Sequence, residues 1–249
     1  MHNDFSKIFH QSSKDHNKGH PFVSPDPENW PDEWKTTYYK SYPWLPKVDL
    51  VDSTPSTDLF EAIENRKSRR EGTKSPLTLK EISLLLKYSC GNVSPTEELE
   101  PGSGFHRAQP SGGARFPIEV YPLIFRPSHE LKSGLYHYDG KSHRLDVLWE
   151  REFTDADIEK LFIYEWVKTS SVVFVMTSVF ARTQNKYGER GYRYILLEAG
   201  HIGQNIYLVA EALGLKCSAI VGTWDVNLER LIDIDGVTES IVYAVALGK

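Results

Sequence analysis

Lys186 and Tyr187 stand side by side in the polar stretch Phe180-Ala-Arg-Thr-Gln-Asn-Lys-Tyr-Gly-Glu-Arg-Gly-Tyr-Arg193. A lysine whose pKa is lowered by burial can accept a proton near neutral pH, and a neighbouring phenol can relay it, so the dipeptide is a candidate acid–base pair. Taken alone it reads first as two exposed loop residues. A second candidate is the basic run Arg66-Lys67-Ser68-Arg69-Arg70. Its guanidinium forks and its serine hydroxyl are the donors that would clamp a phosphate. The plainer reading is a solvated basic end of a helix, which the helix dipole favours in any case. A third is Pro110-Ser111-Gly112-Gly113, where consecutive glycines let backbone N–H groups converge and a flat ligand come close. An ordinary glycine turn ahead of a strand explains it as well.

The elements that must position these residues centre on one helix. From Tyr192 to Leu213, Ile195, Ala199, Ile202, Ile206, Val209 and Leu213 recur at three- and four-residue steps, and Gly214 suits the left-handed position after a helix end. Leu196, Leu197, Leu208, Ala210 and Ala212 make it apolar nearly all round, which predicts a buried spine. Its polar stripe, Glu198, His201 and Asn205, lies on one face and needs partners. Gly200 and Gly203 point to a close neighbour, either another backbone or a flat ligand.

Around the spine, the chain reads as short helices and strands in loose alternation, an α+β arrangement without repeats. Asp58–Arg70 is expected to be helical, with Leu59, Phe60 and Ile63 on one face. Thr78-Leu-Lys-Glu81 is a capping box opening a helix that Gly91 closes. Ile118–Phe125 is strand-like; Leu135–Trp149 reads as a hairpin about Asp139-Gly140. Thr154 caps a helix through Phe162, and Val172–Val179 has the β-branched composition of a central strand. A strand over Leu215–Gly222, a helix over Asp225–Ile232 and a strand over Ile241–Leu247 complete the chain. The first 56 residues are expected to form an extended arm: seven prolines between Pro21 and Pro55 forbid long helices, and Trp30, Trp34, Tyr38, Tyr39, Tyr42 and Trp44 need a surface to lie on. Residues 57–249 would then be the folded domain.

Composition narrows the function. A net charge of −5 argues against a general nucleic-acid binder, which needs a basic surplus. Cys90 and Cys217 are far apart and form no zinc or disulfide pattern, which suggests a reducing compartment. No apolar run nears the roughly 20 residues of a membrane span and the N-terminus lacks a signal-peptide core, so a cytoplasmic protein is expected. His10, His16 and His20 lack carboxylate or cysteine support, and Glu198-x-x-His201 lacks the second copy that a di-iron bundle requires, so no metal is expected. The run Gly102-Ser-Gly-Phe-His-Arg107 lacks the third glycine of a dinucleotide fingerprint. There is no P-loop and no Gly-x-Ser-x-Gly elbow.

Seven stretches carry a family pattern in order: Phe9-His-Gln-Ser-Ser-Lys14, Arg66-Lys-Ser-Arg-Arg70, Arg107-Ala-Gln-Pro-Ser-Gly-Gly-Ala114, Gly134-Leu-Tyr-His-Tyr138, Lys186-Tyr-Gly-Glu-Arg-Gly-Tyr-Arg-Tyr194, Leu197-Glu-Ala-Gly-His-Ile-Gly-Gln-Asn205 and Ala246-Leu-Gly248. Together they resemble the nitroreductase-like FMN flavoproteins, specifically the SagB-type dehydrogenase branch, the azoline oxidases of peptide-modifying pathways. The resemblance implies a mostly antiparallel central sheet flanked by helices, with FMN bound at the interface of an intertwined homodimer. By family position Arg66, Lys67, Ser68 and Arg70 would hold the FMN phosphate and ribityl chain. Pro110, Ser111, Gly112 and Gly113 would approach the flavin from the partner subunit, and Ile220, Val221 and Gly222 would face the isoalloxazine edge. Lys186 and Tyr187 match the proposed base element: a proton leaves the thiazoline or oxazoline ring carbon, a hydride passes to the flavin, and oxygen reoxidises it. Ribosomal peptide substrates and a cyclodehydratase partner follow from the same resemblance. Two other activities remain open, an NAD(P)H-dependent nitro or quinone reductase and a non-catalytic scaffold of a modifying complex.

Overall fold

The computed structural model describes residues 5–14, 27–54, 56–93 and 106–249. His16, His20 and most of the run from Gly102 lie outside the described residues. Seven strands build one sheet: β1 (Lys47–Asp49), β2 (Ile118–Ile124), β3 (Gly134–Asp139), β4 (Arg144–Glu150), β5 (Val172–Val179), β6 (Lys216–Ile220) and β7 (Glu239–Gly248). Their order is β1-β4-β3-β2-β5-β7-β6, with every neighbouring pair antiparallel.

The continuous apolar run of β5 follows from its place in this sheet. Alternate residues point to opposite faces. Val172, Phe174 and Met176 enter one core with helices α4 (Leu79–Cys90) and α7 (Gly191–Ala212), whereas Val173 and Val175 enter a second core with α5 (Asp155–Glu159) and α8 (Asp225–Ile232). A strand covered on both sides has no position for a solvated side chain. The capping box at Thr78 forms as read, with the hydroxyl accepting from the Glu81 amide and the Glu81 carboxylate accepting from the Thr78 amide. Gly214, at φ +67°, ends the spine in the left-handed region.

Three expectations change. Helix α3 spans only Leu59–Asn65, with Arg66 as its C-cap, so the rest of the basic run is irregular chain beyond the helix. Four like charges would crowd a continued helix. Tertiary bonds also compete, because the Arg69 amide donates to the Cys217 carbonyl at 2.9 Å. Lys186 and Tyr187 are the last two residues of a helix, α6 (Ala181–Tyr187), and not an exposed loop. The spine, finally, is not buried all round: Leu196, Leu197, Gly200, His201 and Gln204 form an exposed ridge within one chain. Of its two glycines, Gly203 is explained internally, since a Cβ there would stand 2.6 Å from the Tyr243 ring, whereas Gly200 faces open space.

The arm is joined to the sheet as well as laid over it. Among the described residues, the α-helices α1 (Phe5–Ser12) and α2 (Asp32–Lys35) precede the first strand. Phe9 packs edge-on against Tyr192 with centroids 5.1 Å apart, and Arg193 donates to the Ser13 hydroxyl at 2.8 Å. Lys40 pairs with Glu239 at 2.5 Å, and β1 forms the outer strand beside β4.

Candidate active site

The turn after β5 delivers Lys186 into the protein. Arg182, one turn earlier on α6, forms a 2.6 Å ion pair with Glu119 of β2 and donates to the Phe116 carbonyl at 3.0 Å. Arg115 donates to the Arg182 carbonyl at 2.8 Å. Pinned at its start and released at Gly188, where φ is +55°, α6 turns Lys186 inward until only 1 % of it is exposed.

The ammonium meets π faces there. Lys186 Nζ lies 3.3 Å from the Trp30 ring centroid, 5.7 Å from that of Trp34 and 5.6 Å from that of Tyr187. It makes no ion pair among the described residues. Burial, and then the positive charge of Arg115, holds its pKa below the usual lysine value of 10.5. Burial also raises the Tyr187 phenol, helped by Tyr194 and opposed by Arg115. An amine displaced toward its neutral form beside a phenol is the equipment of a general base.

Gly113 closes the other side. Its φ is +64°, and a Cβ would stand 2.2 Å from the Tyr187 hydroxyl and 3.4 Å from Lys186 Nζ. Gly112 rests against the Tyr194 ring, and Tyr194 is edge-on to Tyr187 at 5.1 Å. These glycines therefore make room for the chain's own aromatic rings. Gly113→Ala should cost about 1–3 kcal/mol in backbone strain alone. Thermal melts check this: Tyr187→Phe in the same chain should recover the steric part only, and a melt equal to that of the unsubstituted protein would mean that the turn relaxes freely.

Pro110, Ser111, Gly112, Tyr194, Glu198 and His201 line a groove leading away from the pair. Glu198 is 3 % exposed, and burial pushes its pKa up to about 7 against the opposing hydrogen bonds of Ser111 and Gln109. Gln109 donates to it at 3.3 Å, and Asn205 donates to the carbonyls of Ser89 at 3.2 Å and Ala108 at 3.4 Å. The polar stripe of the spine thus holds the loop that carries the glycines, with His201 on the exposed side.

The basic run lies elsewhere on the spine. Arg69 is taken by Glu211 at 2.5 Å, whereas Arg66, Lys67 and Arg70 form no ion pair among the described residues. The Arg66 guanidinium sits 5.3 Å from the Tyr207 ring centroid and the Ser68 hydroxyl is 3.0 Å from the Tyr207 hydroxyl. The latter also accepts from the Ala219 amide at 2.7 Å, so the run and the end of β6 share one anchor. Ile220 is buried in the second core, Val221 is 81 % exposed, and a Cβ at Gly222 would stand 2.9 Å from the Tyr164 ring. The structure therefore makes two groupings: Lys186 and Tyr187 with Gly112 and Gly113, and Arg66–Arg70 with the end of β6. They meet the spine at Tyr194 and Tyr207, thirteen residues and so roughly 20 Å apart.

Residues 63–249 match the family model described as the nitroreductase family. The chain belongs to the nitroreductase family. Its fold is the nitroreductase-like one and its family chemistry that of an oxidoreductase. Among curated relatives, MJ1384 of Methanocaldococcus jannaschii, also named for nitroreductases, is 32 % identical over 180 residues, covering 71 % of this chain and 84 % of that protein. The trifolitoxin-processing protein TfxB of Rhizobium leguminosarum bv. trifolii is 30 % identical over 220 residues, covering 84 % of this chain and 58 % of the relative. The microcin B17-processing protein McbC of Escherichia coli is 30 % identical over 172 residues, at 65 % and 58 % coverage. The chain thus spans little more than half of either peptide-processing relative. Of solved structures, a nitroreductase from Anabaena variabilis superposes with TM-score 0.73 at 24 % identity, over 99 % of this chain and 46 % of that one. A chain of the E. coli microcin synthetase McbBCD complex with truncated pro-MccB17 bound superposes with TM-score 0.59 at 22 % identity, over 98 % and 91 %. Both likenesses are of fold.

Several residues around Lys186 were not assigned to a site from the sequence. Trp30, Trp34, Arg115 and the Arg182–Glu119 pair lie far from Lys186 in the chain or hide in ordinary-looking contexts. The one usable signal was the excess of aromatics in the arm. Among the described residues no group of histidine, cysteine and carboxylate side chains could hold a metal, and no helix is long and apolar enough to cross a membrane.

Proposed function

We propose that this chain is an FMN-dependent dehydrogenase of the SagB type, which oxidises thiazoline or oxazoline rings in a peptide to azoles. The observation that carries the reading is Lys186, buried without an ion-pair partner among the described residues, its pKa lowered, beside Tyr187 and the Gly113 turn. A reductase that only passes hydride has no evident use for a desolvated amine base; removing a proton from a ring carbon requires one. The peptide-processing names of two relatives support the same direction.

The residues fit the cofactor on one count that is independent of resemblance: three cations and a hydroxyl lie on one irregular stretch, with the fourth cation neutralised internally. Arg66, Lys67, Ser68 and Arg70 would hold the phosphate, with Ile220–Gly222 beside the ring. FMN, when bound, would supply the hydride acceptor and pass the electrons on to oxygen. Lys186 would take the ring-carbon proton while Tyr187 orients the amine, and the walls of Trp30, Trp34 and Tyr187 would keep water from the base. Because the two groupings are separated along one spine, a shared flavin calls for two copies of the chain. The exposed ridge of α7, with Gly200 open, and Leu59, Phe60 and Ile63 of α3 give a second copy an apolar surface. Peptide substrate and a cyclodehydratase partner belong to this reading.

Mass spectrometry of an azoline peptide incubated with the FMN-loaded protein tests it: the product should be lighter by two hydrogens. NAD(P)H consumption with nitroaromatics, and no change in the peptide, would favour the simple reductase that the likeness to MJ1384 suggests. Arg66→Ala and Arg70→Ala should each weaken FMN retention by about 1.5–3 kcal/mol. Fluorescence titration measures this, and unchanged affinity in both would remove the clamp.

A further inference from the structure

Lys186 cannot reach any substrate in the arrangement seen. A general base must come within roughly 2.6–3.2 Å of the proton it removes, and Lys186 is 1 % exposed, with the Trp30 indole seated 3.3 Å above its nitrogen. The covering segment, residues 30–36, is itself lightly attached. None of its residues is buried. Its four-residue helix α2 has no side-chain cap, and the Lys35 ammonium holds only the Glu28 carbonyl within the same arm. One guanidinium fastens three of its backbone carbonyls to the domain. Arg115 donates through Nη1 to the carbonyls of Trp34 at 2.8 Å and Thr36 at 3.1 Å, and through Nη2 to that of Glu33 at 2.8 Å. The same Arg115 donates through Nε to the Arg182 carbonyl of the helix carrying Lys186. The buried Trp34 indole N–H has no acceptor among the described residues, so the closed arrangement leaves one polar group unsatisfied.

From this geometry we infer that residues 30–36 are a gate over Lys186, with Trp30 a positioning residue that occupies the ammonium face a planar substrate ring takes, and Arg115 the latch. The inference rests on the reading of Lys186 as the base. A flat ring over the amine is what the pocket already accepts, so an azoline or azole ring of a peptide enters by exchanging with the indole. A segment with little buried surface opens at low cost, and the incoming ring refills the space over the amine that the departing indole vacates.

Amine labelling tests the gate without relying on catalysis. Trinitrobenzenesulfonate attacks neutral amines, so a lysine of lowered pKa should react faster than a surface lysine unless it is covered. In the unsubstituted full chain, Lys186 should be labelled about tenfold or more slowly than exposed Lys160, as read by peptide mass spectrometry. Trp30→Ala should raise the Lys186 rate about tenfold with Lys160 unchanged, and Trp30→Phe, which keeps a π face, should restore most of the protection. Equal rates for Lys186 and Lys160 in the unsubstituted protein would overturn the gate, as would a Trp30→Ala chain whose Lys186 stays protected. If the base assignment alone is wrong, Lys186→Ala retains azole formation while this labelling pattern persists.

Discussion

Lys186→Ala should form azole about 10²–10⁴-fold more slowly while binding FMN as before, the loss that accompanies removal of a positioned general base. The two halves of this expectation come from the separation of the groupings. The amine lies with Tyr187 and Gly113, whereas Arg66 and Ser68 of the run assigned to the phosphate meet Tyr207, roughly 20 Å along the spine. Lys186→Arg should be nearly as slow, since a guanidinium fills the space but does not deprotonate. Tyr187→Phe should cost less, because the ring still packs on Tyr194 and only the hydroxyl beside Gly113 is lost. The pH profile carries the sign. Burial and Arg115 depress the Lys186 pKa, so kcat/KM should rise with pH and level off below the 10.5 of an ordinary lysine. A Lys186→Ala chain that still removes two hydrogens from the peptide at the original rate would exclude the amine from the chemistry.

How much of this could be seen in the sequence depends on whether the deciding contacts are local. The spine, the capping box at Thr78 and the central strand were legible because each is written in periodicity or in a short-range side-chain pattern. The end of α3 was not, because the basic run is held out of the helix by the Cys217 carbonyl and Tyr207, both more than 130 residues away. The spine's burial was overestimated for a related reason: an all-round apolar pattern does not say which faces the rest of the chain covers, and Leu196 and Leu197 are exposed. At the site, the lysine–tyrosine pair was visible as a dipeptide. Its setting was not, since Trp30 approaches from 156 positions earlier and Arg115 acts through backbone carbonyls that have no signature in residue type. Gly112 and Gly113 read equally as an ordinary turn or as room for a flat ligand; that a Cβ at Gly113 would meet the Tyr187 hydroxyl is a contact the residue types do not announce.

Glu119→Gln should destabilise the fold by about 3–5 kcal/mol, the usual result of leaving one partner of a buried ion pair alone. Glu119 faces the Arg182 guanidinium at 2.6 Å on one side and His137 Nε2 at 2.9 Å on the other; His137 Nδ1 reaches Asp146 at 3.0 Å, and Asp146 in turn pairs with Lys47. His137 and Asp146 are fully buried. Burial alone would raise the Glu119 pKa, but Arg182 and His137 overcome it and bring the value down to about 2. Burial would likewise lower that of His137, and the two carboxylates reverse it, so His137 titrates above its ordinary 6.5. The two shifts act at opposite ends of the pH scale. Glu119 contributes stability that is fully present above its unfolded value of 4.5 and lost as pH falls toward about 2. His137 contributes stability present below 6.5 and lost as pH rises through its elevated folded value. Urea midpoints across pH should therefore decline on both sides for the unsubstituted protein. Glu119→Gln should flatten the acid limb and move the alkaline decline to lower pH, because His137 keeps only Asp146. Midpoints that match the unsubstituted protein at every pH would show that the chain of charges contributes nothing. If the network does hold, its second consequence is positional: Arg182 starts the helix that ends in Lys186, so Glu119→Gln should also speed Lys186 labelling, by loosening the turn that points the amine inward.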